Sequence, residues 1–190
     1  MSQELDLFPD EKVIKVGVIG REPGLLMNNP ASILEQEVIK TPTKVYDSKV
    51  QAEKASYRLP DGGLYIPSSW FYGCLINAST AYRIGKKSAT QLVAGCIRVF
   101  PIQIPLETKE YEINIQSVTI KGRGKIPRAR PLLKNWEVNF DIVYDPTFGL
   151  TSERIHHMLQ DGGRRIGVGD FRPQHRGQYG TFTISKWEEV

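Results

Sequence analysis

Several stretches of the chain show the patterns that are typical of β-strands. Some are dominated by β-branched residues, and others alternate hydrophobic with polar residues, so that one face of the strand is apolar. The stretches predicted as strands on this basis are residues 12–20, 111–120, 136–144 and 181–184. Residues 96–104 alternate less regularly, and we interpret them as a further strand that ends before Pro105.

Two other stretches place hydrophobic residues at the three- and four-residue spacing of an α-helix. The first has Pro67 in its first turn, a position that proline favours. Its apolar face comprises Phe71, Cys74, Leu75, Ala78 and Tyr82. The second is predicted to begin at Thr151 and to end at Gly162, because glycine commonly follows the last residue of a helix.

The order of these elements predicts an α+β fold. When residues 21–60 and the elements near 86–104 are set aside, the order is strand, helix, strand, strand, helix, strand. This βαββαβ order is that of the ferredoxin-like and RNA-recognition-like folds, in which two helices cover one face of an antiparallel sheet. We therefore expect a single domain over residues 1–190, with a long irregular insertion after strand 1 (residues 21–60) and a basic hairpin (residues 121–134).

The stretch between the second helix and the last strand is rich in glycine and arginine. Residues 162–180 contain six glycines, four arginines, a histidine and two aromatic residues. Bare backbone N–H groups, guanidinium groups and flat rings suit a phosphodiester chain with splayed bases. Asp170 is expected to pair with Arg165 or Arg172 inside this stretch. The simpler interpretation, a connector whose glycines form turns and whose arginines are solvated, stays open.

A second basic stretch, residues 121–134, contains six cations and no acidic residue. Clustered cations bind nucleic acid by neutralising phosphates and releasing counterions. The same stretch could instead be a solubilising hairpin tip, or could reach a neighbouring subunit.

Two motifs resemble one superfamily. Residues 63–73, Gly-Leu-Tyr-Ile-Pro-Ser-Ser-Trp-Phe-Tyr-Gly, resemble the start of the first helix in RAMP proteins, which are the RNA-recognition-like backbone-type subunits of CRISPR effector complexes. The glycine-rich stretch resembles the C-terminal glycine-rich loop of that superfamily, and a long insertion after the first strand also occurs in its backbone subunits. The chain is therefore similar to a minimal RAMP protein, such as one from a phage or mobile element. The resemblance implies contacts with single-stranded RNA and side-by-side oligomers that follow it.

The sequence thus predicts a non-enzymatic protein that binds a single strand of nucleic acid, with RNA favoured over DNA. It would form a homo-oligomer along its ligand or join a multi-subunit complex. The candidate binding residues are Ser68, Ser69, Lys125, Arg128, Arg130, Arg164, Arg165, Arg172, Arg176 and Tyr179. The cations would neutralise phosphates, the serines would contact them at a helix N-terminus, and Tyr179 would stack on a base.

Two other functions stay open. One is an endoribonuclease of the same fold, in which His175 is a general acid. The resemblance also makes Asp47 a candidate acid, because some RAMP backbone subunits cleave from an aspartate in this region. The other is a structural phage or assembly protein whose arginine–glycine stretch binds acidic residues of a neighbouring subunit.

Composition narrows these possibilities only slightly. The net charge of +4 favours anionic partners without identifying one. Cys74 and Cys96 lie among apolar neighbours and are expected to be free thiols, so neither a metal site nor a cofactor is predicted. No signal peptide is apparent, and no apolar run approaches the roughly 20 residues that span a bilayer. We therefore expect a cytoplasmic protein without membrane contact.

Overall fold

A computed structural model of the chain describes residues 5–30, 47–120 and 124–190. Residues 31–46 of the expected insertion and 121–123 of the expected hairpin lie outside the described residues. The strands are β1 (Lys12–Gly20), β2 (Leu25–Leu26), β3 (Tyr65–Pro67), β4 (Arg83–Ile84), β5 (Lys87–Ser88), β6 (Ile97–Phe100), β7 (Gln103–Pro105), β8 (Glu112–Ile120), β9 (Gly124–Leu133), β10 (Glu137–Tyr144) and β11 (Phe182–Glu189). The helices are α1 (Ser48–Ala55), α2 (Ser68–Ser79), α3 (Ala89–Cys96) and α4 (Ser152–Arg165), and a 3₁₀ turn covers Pro173–His175.

The main sheet has four strands in the order β11-β1-β10-β6, and each neighbouring pair is antiparallel. Alternate residues of β1, from Ile14 to Val18, are almost fully buried and face the core. Both α2 and α4 pack on this face of the sheet. Phe71 of α2 stacks on Phe140 of β10 with ring centroids 4.4 Å apart. The fold is thus α+β with an antiparallel sheet, as the sequence predicted.

The strand that pairs with β10 differs from the expected one. The sequence placed residues 111–120 beside 136–144 in one sheet, whereas the structure pairs β10 with the short β6. The predicted strand exists as β8, but it pairs with β9 in a separate sheet of order β2-β9-β8. Most of the basic stretch that was expected to form a hairpin, residues 121–134, is therefore strand β9.

Two prolines hide β9 in the sequence. Pro127 and Pro131 lack the N–H group of a ladder, and such residues usually argue against a central strand. However, β2 pairs only with Leu132 and Leu133. Pro127 therefore lies where β9 has a strand neighbour on one side alone, and there proline is tolerated. At Pro131 the carbonyl accepts a hydrogen bond from the N–H of Met27 at 3.0 Å, a contact that needs no N–H group from the proline.

The described part of the expected insertion attaches to this second sheet. Asp47 begins α1 as its cap, since its carboxylate accepts hydrogen bonds from the backbone N–H groups of Lys49 at 2.8 Å and Val50 at 3.2 Å. The side-chain oxygen of Gln51 accepts a hydrogen bond from the N–H of Ala129 in β9 at 2.6 Å. The helix α1 and the strand β2 thus both lie against the hairpin formed by β8 and β9.

The predicted end of α4 at Gly162 is wrong. The helix continues through Arg165, and Gly167, with φ of +72°, follows its last residues. Gly162 and Gly163 serve close packing instead. A Cβ atom at Gly162 would lie 2.7 Å from the Cys74 Sγ, and one at Gly163 would lie 2.6 Å from the carbonyl oxygen of Phe182. Within the described residues, no helix is long and apolar enough to cross a membrane.

We expect Gly163→Ala to lower the free energy of unfolding by about 1–3 kcal/mol, because overpacking a tight contact forces the backbone to move. Gly95→Ala is the matched control, since a Cβ atom there meets nothing within 4 Å in a helix of the same fold. It should raise stability by up to about 1 kcal/mol. Urea unfolding midpoints measure both effects. Equal effects of the two changes would contradict the close packing at Gly163.

Candidate nucleic-acid interface

The chain from residue 166 to residue 181, the glycine-rich loop, is anchored by backbone hydrogen bonds. The N–H of Asp170 donates to the carbonyl of Leu26 at 3.0 Å, and the N–H of Gly180 donates to the carbonyl of Gly24 at 2.7 Å. Inside the loop, Val168 N–H donates to the carbonyl of Gly180 at 2.9 Å. The loop is therefore fixed against the segment that follows β1.

A small cleft of about 90 Å³, the α2–loop cleft, separates the start of α2 from the glycine-rich loop. Its lining includes Ser69, Trp70 and Asn77 of α2 and Gly167, Gly169 and Arg172 of the loop. The two stretches that carry the sequence resemblance thus face each other. Ser69 is exposed, and within the described residues no side chain caps α2. The first N–H groups of a helix have no intrahelical partner, so this end suits an anion.

Ser68 does not share this position. Its side chain is buried, and the residue as a whole is 7% exposed. Its backbone N–H donates to the carbonyl of Ile102 at 2.9 Å. Of the two predicted serines, only Ser69 presents its hydroxyl group to the surface.

Arg172 is half-buried and held in one orientation. Its Nη1 donates to the carbonyl of Gly169 at 2.8 Å, and its Nε and Nη2 lie 3.1 and 3.0 Å from the side-chain oxygen of Gln174. Burial lowers the pKa of this guanidinium, but an arginine stays charged at neutral pH. The cleft therefore contains an ordered cation beside the exposed hydroxyl group of Ser69.

Arg130 is a structural residue, because it is only 8% exposed. Its Nε lies 2.6 Å from Asp170 Oδ2, and its guanidinium carbon lies 4.9 Å from the centre of the Phe171 ring. Burial is the main cause that lowers the pKa of Arg130. The pair joins β9 to the glycine-rich loop. Arg130 is thus the partner of Asp170, and the expected pairing with Arg165 or Arg172 is wrong.

Tyr179 makes a second connection between the loop and the hairpin. Its hydroxyl oxygen lies 3.2 Å from the side-chain nitrogen of Gln116 and 3.5 Å from that of Asn114, both on β8. The residue is partly exposed. The ring is held between two elements and keeps some accessible surface.

The remaining predicted cations lie in different surroundings. Lys125 and Arg176 are exposed. Arg128 is half-buried and interacts with another group of the protein. Arg165 is paired with Asp161, Nη2 to Oδ2 at 2.7 Å. Arg164 is exposed at the end of α4 and lines a different cleft from Arg172.

The two candidate acids of an endoribonuclease lie on different elements of the described chain. Asp47 caps α1, and His175 is exposed at the end of the 3₁₀ turn. Residues 5–30, 47–120 and 124–190 also contain no group of three acidic, histidine or cysteine side chains that could hold a metal ion.

Sequence reasoning missed several residues of this interface. Asn114 and Gln116 belong to the alternating face of β8, but only the pairing of β8 with β9 turns that face towards the loop. Arg21 follows β1 directly and lacked any motif that would have singled it out. The alternation in residues 111–120 was the one available signal. It indicated which residues share a face of the strand, but not which strand pairs with it.

No model of a protein family matches the chain, and no curated protein matches it. Among solved structures, a chain of the cryo-EM structure of the Type III-B Cmr-beta bound to cognate target RNA is similar, with a TM-score of 0.63 over 95% of this chain. The two chains are 14% identical, and this chain spans 61% of the length of the other. This similarity establishes a shared α+β fold, which is consistent with the resemblance to RAMP proteins.

We expect Asp170→Asn to lower the free energy of unfolding by about 3 kcal/mol, because it leaves the buried Arg130 guanidinium without a counter-charge. The double change Arg130→Met with Asp170→Asn should recover part of this loss, since no buried charge remains. Arg165→Ala breaks an exposed pair and should cost less than about 1 kcal/mol. Urea unfolding of the four proteins, wild type included, checks the ranking, and a loss for Arg165→Ala as large as for Asp170→Asn would contradict it.

Proposed function

We propose that the protein is a non-enzymatic, RAMP-like subunit that binds a single strand of nucleic acid, RNA in preference to DNA. It would assemble along that strand as a homo-oligomer or within a multi-subunit complex. One observation carries the proposal: the start of α2 and the glycine-rich loop line a common cleft. These are the two stretches that resemble RAMP proteins.

The strand order supports this assignment. In chain order the four strands of the main sheet are β1, β6, β10 and β11, with α2 between the first two and α4 between the last two. Their spatial order is β11-β1-β10-β6. We interpret this arrangement as the ferredoxin-like, RNA-recognition-like βαββαβ fold of a single RAMP-like domain, into which the hairpin of β8 and β9 is inserted. The similar chain belongs to a structure with bound target RNA.

The chemistry of the α2–loop cleft suits a phosphate group. The guanidinium of Arg172 is oriented by the Gly169 carbonyl and by Gln174, and each of its two Nη atoms keeps a second N–H group for a phosphate oxygen. Ser69 adds a hydroxyl group, and the start of α2 adds the positive end of a helix dipole. Hydrogen bonds from charged donors to phosphate oxygens are among the strong ones in proteins. A phosphodiester group in this cleft would thus meet a guanidinium, a hydroxyl group and a helix N-terminus.

The hairpin carries further cations. Arg130 and Tyr179 hold β8 and β9 against the loop, and Arg128 lies two residues from Arg130 on the same face of β9. The exposed Lys125 lies on the opposite face, nearer the end of the hairpin. Exposed Arg176 lies on the loop itself. We propose that these three cations contact neighbouring phosphates and that the Tyr179 ring stacks on a base.

We expect Arg172→Ala to weaken binding of a single-stranded RNA oligomer by about tenfold or more, because a hydrogen bond to a charged group contributes about 1.5–3 kcal/mol. Ser69→Ala should weaken it less. Arg172→Lys, which keeps the charge but loses the planar fork, should lie between the wild type and Arg172→Ala. Lys87→Ala is the control, since it removes an exposed cation from β5. Fluorescence anisotropy at several salt concentrations measures all four.

Other outcomes of this experiment would favour other functions. Affinity that does not change with salt, or no binding to RNA or DNA, would overturn the proposal. Oligomers that survive nuclease and lack absorbance at the wavelength of nucleic acid would indicate an assembly protein. Cleavage products that vanish in His175→Ala or Asp47→Ala would indicate an endoribonuclease.

A further inference from the structure

A second cleft, of about 730 Å³, lies where the glycine-rich loop begins and ends. Its lining includes Arg21, which follows β1, Arg164 of α4, and Thr181 and Thr183 at the start of β11. None of its lining residues lines the α2–loop cleft. The inside of the loop forms one cleft, and the segments that enter and leave the loop form the other.

The second cleft has two cations that are not neutralised. Arg21 and Arg164 are exposed, and neither side chain forms an ion pair or hydrogen bond with another residue in the described ranges. The carboxylate in the cleft, Asp161, is already engaged. Its Oδ2 accepts hydrogen bonds from the Tyr82 hydroxyl at 2.6 Å and from Arg165 at 2.7 Å.

The other titratable groups around Asp161 do not add negative charge. Burial, followed by the hydrogen bond to Asp161, raises the pKa of Tyr82 to about 12, so its hydroxyl group stays a donor. His157 also lines the cleft, and its Nε2 lies 3.8 Å from the Glu153 carboxylate on the same helix. The cleft therefore has a net positive lining.

The floor of the cleft is held by backbone hydrogen bonds and by core packing. The backbone N–H of Arg21 donates to the carbonyl of Thr181 at 2.9 Å, and Gly20 pairs with Phe182 in the main sheet. Phe182 is 2% exposed and packs edge-on against Phe71 in the core. Arg21 and Thr181 are thus held beside each other, so their side chains start from fixed positions.

We propose that the second cleft binds the sugar–phosphate backbone of the same single strand, at a nucleotide different from the one in the α2–loop cleft. Arg21 and Arg164 donate to phosphate oxygens, and the hydroxyl groups of Thr181 and Thr183 donate to phosphate or sugar oxygens. The inference rests on the proposed function. It adds a path for the strand, which crosses the glycine-rich loop from one cleft to the other.

The test is the double variant Arg21→Ala with Arg164→Ala, measured by anisotropy with single-stranded RNA over a range of salt concentrations. The slope of log affinity against log salt should fall by about 0.7 for each phosphate contact that is lost. Affinity should fall by about tenfold or more. Lys86→Ala with Lys87→Ala is the matched control, because it removes the same charge from an exposed turn and should leave the slope unchanged.

The other possible results of this experiment distinguish a failure of this inference from a failure of the proposed function. If Arg172→Ala weakens binding while the double variant binds like the wild type, the inference is wrong and the proposed function stands. Equal losses in the double variant and in its lysine control would show that bulk charge alone acts, and would also overturn the inference. A double variant that binds RNA normally but no longer oligomerises would assign the cleft to a neighbouring subunit's carboxylates. A wild type without RNA binding would overturn both.

Discussion

The contact between Arg130 and the glycine-rich loop holds the candidate interface together. The guanidinium of Arg130 extends from β9 and meets both the Asp170 carboxylate, at 2.6 Å, and the Phe171 ring. Neither Arg130 Nε nor Asp170 Oδ2 makes a well-aligned hydrogen bond, and burial lowers the pKa of the guanidinium. Such a pair adds little to stability but can fix the relative position of two elements. Here it fixes the hairpin against the loop.

On the other side of the loop, glycine residues allow the helices α2 and α4 to pack closely. Gly162 allows α4 to approach Cys74 closely, and this places the start of α2 beside the point where the loop leaves α4. The side chain of Arg172 is then oriented by the loop itself. Binding a ligand to a side chain that is already ordered avoids part of the entropy cost of association. The fixed conformation of the loop would therefore contribute to the affinity for a ligand as well as to the stability of the fold.

The sequence predicted those parts of the fold that depend on local patterns. β1, β10 and α2 follow from alternation or helical spacing within single segments. The pairing of β8 with β9 does not, because it depends on which distant segments meet, and the prolines of β9 conceal a strand. The sequence likewise revealed the positively charged residues but not how far each is buried. Arg130 and Arg176 look equivalent in the sequence, whereas one is buried against Asp170 and the other is exposed.

This difference in burial and pairing determines which arginines are available to bind a phosphate group. Arg130 and Arg165 are each paired with a carboxylate, so a phosphate could recruit either only by breaking an existing ion pair. Four arginines that form no ion pair within the described residues lie around the glycine-rich loop: Arg172 in one cleft, Arg21 and Arg164 in the other, and Arg176 on the loop itself. A strand that met these residues would follow the loop rather than the broad face of the main sheet. The path proposed for the ligand therefore follows these four arginines and not the paired Arg130 and Arg165.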